Sequence, residues 1–151
     1  MAFETLTLRS VTARPVLLPL RRPVVSKVGR FDQWPMILID LQTEEGIVGR
    51  SYLEPYLKQA MRYLVPAIED LAAARIGQPI HPLDDFQRDH KSLNLVGYEG
   101  LAMIAVSALA EATEVMAPWR TASGRSTSLD RLSGISKLLV ESGACPYGSP
   151  F

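Results

Sequence analysis

Residues 36–56, MILIDLQTEEGIVGRSYLEPY, restrict the fold more than any other stretch of the chain. Met36, Leu38 and Asp40 alternate with Ile37, Ile39 and Leu41, so a strand here is apolar on nearly both faces. Thr43-Glu44-Glu45-Gly46 supplies turn chemistry, with Gly46 available for positive φ. Ile47 and Val48 resume the strand, and Gly49 lets its backbone approach a neighbour closely. These features predict a hairpin. Loops over 23–35 and 51–56 flank it and stand where they can close over a common space.

Upstream, residues 6–20 (LTLRSVTARPVLLPL) alternate well enough for a long first strand. Pro15 and Pro19 confine that strand to an edge or require a bulge. Residues 21–35 mix Pro, Gly and charge with Val24, Val28, Phe31 and Trp34. They read as a long loop whose apolar side chains dock against a surface. Arg21, Arg22, Lys27 and Arg30 gather around it, either as a solvated loop or as a local anion-attracting mouth.

Beyond Pro55 the period changes from two to about 3.6. Leu57, Met61, Leu64, Val65, Ile68 and Leu71 fall at helical spacing, with Pro66 as the weak point. Gly77-Gln78-Pro79 stops that helix, and residues 81–85 start a second with acids in its first turn, ending near Asn94. Gly97-Tyr98-Glu99-Gly100 opens a third, with Leu101, Ile104, Ala105 and Leu109 as its buried face. From Ala110 onward Ser, Thr, Gly, Arg and Pro become frequent, and only 135–140 still resembles a short helix or strand. The expected architecture is α+β: a three-stranded antiparallel sheet followed by a helical bundle.

A length of 151 residues suits one domain with a real core. Lys plus Arg and Asp plus Glu both number 16, so no net field favours nucleic acid or an anionic membrane, and neither is expected as a partner. The single Cys145 excludes an internal disulfide framework. With no apolar run near the roughly 20 residues of a membrane span and no signal-peptide pattern, a cytoplasmic location is expected.

Familiar catalytic patterns are missing. His81 and His90 lie nine apart, not at the i, i+4 of a helical zinc site, and read as surface or capping residues. Asp84 and Asp85 point about 100° apart on a helix and suit its N-terminal electrostatics. Asp40, inside a strand, needs a partner and reads as half of a structural ion pair. Ser51 lacks a nucleophile elbow, and no phosphate-binding glycine loop occurs. What remains is the two loops. Val24, Val28 and Phe31 on the first, with Glu54 and Tyr56 on the second, either line an apolar pocket with a polar tip or cover the sheet's end.

The order RPVVSKVGRFDQWPMILIDLQTEEGIVGRSYLEPY, then helices, then LNLVGYEGLAMIAVSAL, resembles the N-terminal capping domain of the enolase superfamily, mandelate racemase subgroup. The likeness covers residues 4–109, which would be the capping domain, with 110–151 an atypical tail. It implies that two mobile loops close over the active site of a barrel. Val24, Val28 and Phe31 match the first loop's pocket-lining positions, Tyr56 an aromatic of the second, and Glu54 falls in that same loop. It further implies Mg²⁺-dependent removal of a proton next to a carboxylate, in a racemase or acid-sugar dehydratase acting on a small carboxylate or sugar acid.

The chain also departs from the pattern. Ala108-Leu109-Ala110-Glu111-Ala112 stands where the family continues G-L-D-M-A-x-W-D-A-L, and Trp119 is displaced. About 40 residues follow, against a barrel of about 250. The family's lysine motif, acidic metal ligands and histidine match no position here, so no catalytic or metal-binding residue is assigned. A frameshift or truncation near Ala110 would account for this. The chain alone is expected to be catalytically incomplete and, with its barrel-facing surface bare, to self-associate as a homo-oligomer. A non-catalytic α+β binding or interaction module using the same loops is the rival reading; such a module would hold a ligand by itself.

Overall fold

Ile37, Ile39 and Leu41 have no solvent exposure because they sit on the central strand beneath helices. The computed structural model describes residues 5–116. Strands β1 (Leu8–Ser26), β2 (Gly29–Thr43) and β3 (Val48–Leu53) form one antiparallel sheet in the order β1-β2-β3. Helices α1 (Met61–Ala73), α2 (Pro82–Ser92) and α3 (Leu101–Glu114) follow. The sheet is open and the architecture is α+β. Ala13, Leu17 and the three β2 residues meet Met61, Leu64 and Ile68 of α1 and Ala105, Ala108 and Leu109 of α3 in one core. Each large side chain so buried stabilises the fold by about 1.5–3 kcal/mol.

The β2–β3 turn forms as its residues dictate. Gly46 takes φ 83°, its N–H reaches Thr43 O at 3.1 Å, and the Thr43 hydroxyl accepts the Ile47 N–H at 3.1 Å. Glu45 ties this turn to the start of β1 by accepting the Thr7 N–H on both carboxylate oxygens, at 3.1 and 3.0 Å. That bond holds the Glu45 carboxyl below its ordinary range.

Residues 21–35 are not a loop. Both arms continue as strand to a two-residue turn at Lys27-Val28, with Val24 opposite Phe31, Val25 opposite Arg30 and Ser26 opposite Gly29. Pairing satisfies backbone groups that a loop would leave to water. The alternation is hidden in the sequence because Leu20, Arg21, Arg22 and Pro23 bulge out opposite Asp32 alone. Pro15 and Pro19 lie on β1, an edge strand as their chemistry requires.

The first helix begins later than its spacing predicts. Lys58–Ala60 make a single 3₁₀ turn, Leu57 is exposed, and α1 then runs through Pro66, which faces solvent. α3 buries Ala105, Val106, Ala108, Leu109, Ala112 and Thr113, so its inner face is rotated from the expected one and Leu101 is exposed. α3 continues through Ala110 to Glu114, and Met116 is also buried. The expected elements at 135–140, Trp119, Cys145 and the tail from 117 onward lie outside the described residues.

Gly49 is where α3 meets β3. A Cβ placed there would stand 2.6 Å from the Ala112 carbonyl oxygen and 2.6 Å from Met116 Cγ. The Met116 side chain is flexible, but the backbone carbonyl of a packed helix is not. Gly49→Ala should therefore lower the stability of the full chain by about 1–3 kcal/mol, read as a lower urea midpoint; an unchanged midpoint would contradict this packing.

Candidate functional site

An open cleft of about 320 Å³ lies where β3 ends against α3. Tyr52, Leu53, Glu54 and Tyr56 form one wall, and Met103, Ile104, Ser107 and Glu111 the other. The α3 positions recur at helical spacing, with Ser107 and Glu111 exposed and Ile104 at the edge of the core. Ser51, one residue before Tyr52, points the other way: its hydroxyl donates to the Ala108 carbonyl at 3.4 Å and fastens β3 to α3.

Tyr56 reaches the cleft by an unusual backbone route. The Leu57 N–H donates to the Pro55 carbonyl at 2.6 Å, closing a three-residue γ-turn with Tyr56 at its centre and φ 59°. Among the described residues Tyr56 is the only non-glycine with positive φ. A bulky side chain held in this region costs about 1–2 kcal/mol, a strain that tends to be kept where geometry serves a site. The ring is two-thirds exposed, so core packing does not explain it.

The expected site residues fall in two groups. Glu54 and Tyr56 share the cleft. Val24, Val28 and Phe31 sit on the β1–β2 ribbon and do not line it. Val24 and Phe31 face each other across the ribbon, Phe31 packs edge-on to Trp34 at 6.4 Å, and Val28 is exposed at the tip with its N–H on the Ser26 hydroxyl at 3.2 Å. Sequence reasoning missed Tyr52 and the four α3 residues. Ser107 and Glu111, an i, i+4 polar pair in a helix otherwise rich in Ala, Leu and Val, were the available signal.

Several other ionisable groups are committed to structure. Asp40 pairs with Arg14 and, at 3.4 Å, with Arg50, as an ion pair across three strands. Asp85 does more than favour a helix N-terminus. It and Asp89, one turn on, are buried and both bind the buried Arg75 at 2.9 Å, while Asp85 also accepts the His81 N–H at 2.9 Å. Burial pushes the Asp89 carboxyl above its ordinary range, with Arg75 pulling the other way. His81 precedes α2 without a side-chain cap, and His90 stacks on Tyr98 at 3.9 Å.

The Mg²⁺ that the resemblance implies finds no seat on these residues. Among the described residues no three His, Cys, Asp or Glu side chains converge, and the carboxylates of Asp40, Asp85 and Asp89 are already occupied by arginine. No described helix is long and apolar enough to cross a membrane.

Residues 8–120 match the family model of the mandelate racemase / muconate lactonizing enzyme N-terminal domain. The chain belongs to this family. Among solved mandelate racemase-like structures, an enolase from the alpha proteobacterium bal199 with bound Mg is 52% identical, with a TM-score of 0.69, over 72% of this chain and 30% of its own. An enolase from Bradyrhizobium complexed with magnesium and mandelic acid is 32% identical, with a TM-score of 0.69, over 92% of this chain and 36% of its own. An enolase-superfamily member from Agrobacterium tumefaciens, 19% identical with a TM-score of 0.60, shares the fold. The chain spans about a third of the length of these proteins.

The γ-turn makes a separable prediction. Tyr56→Ala and Tyr56→Gly remove the same ring, but only glycine relieves the positive φ. The glycine variant of the full chain should be the more stable by about 1 kcal/mol, reversing the usual order; an alanine variant at least as stable in urea would show that the turn is unstrained.

Proposed function

We propose that this chain is the substrate-facing lid of a Mg²⁺-dependent enzyme that removes the proton next to a carboxylate, a racemase or acid-sugar dehydratase of the mandelate racemase kind. Family membership supports this, as does the relative that holds magnesium and mandelic acid. The observation that carries it is the strained Tyr56 turn, which spends stability to hold an aromatic ring at the mouth of a cleft.

In this reading Val24, Val28 and Phe31 on the ribbon and Glu54 and Tyr56 on the β3–α1 loop contact the part of the substrate remote from the reacting carbon. They orient it and exclude water, which raises the rate through positioning and desolvation. When bound, Mg²⁺ supplies the positive charge that steadies the substrate carboxylate as its neighbouring proton leaves. The described residues supply neither the base nor the metal ligands, so turnover needs a barrel.

A domain exchange tests this. Residues 1–116 would replace the corresponding segment of the Bradyrhizobium relative, and α-proton exchange in D₂O would be followed for the acids that the parent enzyme turns over. The chimera should exchange, stop with EDTA and recover with Mg²⁺. A folded but inert chimera, or exchange by the present chain alone after exhaustive chelation, would contradict the proposal.

A further inference from the structure

Two carboxylates share one guanidinium behind the helices. None of the side chains of Arg75, Asp85 and Asp89 is more than 5% exposed. The donors are divided unequally between the two acids. Asp85 accepts Arg75 Nη2 at 2.9 Å and the His81 backbone N–H at 2.9 Å, and Arg88 Nη1 reaches its other oxygen at 3.4 Å. Among the described residues Asp89 accepts from Arg75 Nη1 alone, at 2.9 Å on Oδ2. Arg88 is half exposed, so solvent screens most of its charge. α3, which packs on α2, buries Ala105, Val106, Ala108, Leu109, Ala112 and Thr113 and turns no ionisable group inward. His90, beside Asp89 in the chain, stacks on Phe86 and Tyr98 instead. The charged groups acting on Asp89 are therefore Arg75, Asp85 and Arg88. The buried trio carries one negative charge too many.

A surplus buried charge is relieved by neutralising its less supported member. With a proton on Oδ1, Asp89 would still accept Arg75 Nη1 on Oδ2, and Arg75 would be balanced by Asp85. We propose that Asp89 is the proton-accepting member of a pH-sensitive clasp: protonation as the pH falls seats α2 more firmly on Arg75, and loss of that proton as the pH rises loosens α2. This device is independent of the proposed function. Its sign is opposite to that of most carboxylate ion pairs. Burial is the main cause that raises the Asp89 carboxyl in the native state, so the native chain holds the proton more tightly than the unfolded chain. The Asp89 contribution to stability therefore grows as the pH falls through the raised native range towards the ordinary 3.8. The Glu45 carboxyl, held low by its bond to Thr7, runs the other way, so only a comparison that removes Asp89 isolates the clasp.

Asp89→Asn makes that comparison, because it keeps an oxygen for Arg75 Nη1 and carries no charge. Two measurements on the full chain read the result: the ¹³C shift of the Asp89 carboxyl against pH, and the protection factors of the α2 amides with intrinsic exchange rates divided out. The carboxyl should titrate with a midpoint above 3.8. Protection over Asp85–Ser92 should rise about twofold or more from about pH 7 to about pH 4.5. In Asp89→Asn it should match or exceed the unaltered chain at pH 7 and lose this acid-induced rise. A carboxyl midpoint at or below 3.8, α2 protection that falls with acid, or a variant less protected than the unaltered chain at pH 7 would overturn the proposal. The carboxyl titration needs only the unaltered chain, so it decides the matter if the variant does not fold.

Discussion

The backbone of α3 rests on β3 at Gly49 with no strand side chain between them. At Gly49 the strand's Cα faces the Ala112 carbonyl at a distance that a single methyl group would close. This approach sets the spacing between the two walls of the cleft, because Tyr52 and Glu54 leave the far end of the same strand region and Ser107 and Glu111 stand on the outer side of the same helix. The Ser51 hydroxyl fixes the helix along the strand. A residue larger than glycine would push the walls apart and loosen the core that Ile39 and Leu109 share.

A second constraint acts behind the helices. Arg75, just past α1, holds Asp85 and Asp89 of α2 in a buried network. Such a network is costly to break: leaving either carboxylate buried without the guanidinium would cost about 3–5 kcal/mol. α2 makes no part of the cleft, yet it packs on α3 and so backs the helix that does. Strain at Tyr56 is tolerated because the elements on both sides of it are held independently, β3 by the sheet and α1 by the core.

The hairpin, the three helices and the edge position of β1 are legible in the sequence because each depends on local chemistry: alternation through 36–41, the glycine at 46, a stop signal at 77–79, a helix opening at 97–100, and prolines at 15 and 19. The β1–β2 ribbon is not legible, since its bulge at 20–23 breaks the period-two pattern and its pairing is long-range. The loop that bears Glu54 and Tyr56 is legible, but the α3 residues that share the cleft with them are not: which side of a helix of small residues faces outward depends on Gly49, 58 residues before Ser107. Arg75 escapes notice for the same reason, although two aspartates one turn apart on α2 ask for a buried cation. Val24, Val28 and Phe31 are named from the sequence yet lie on a different element from the cleft, so only a ligand spanning both brings the two groups into one site.

That joint action is the central claim, and amide hydrogen exchange on the chimeric enzyme measures it most directly. Adding Mg²⁺ and substrate should slow exchange at residues 24–31 of the ribbon and 52–57 of the β3–α1 loop together, while α2 stays unchanged. Protection confined to one of these segments, or to neither, would contradict the account.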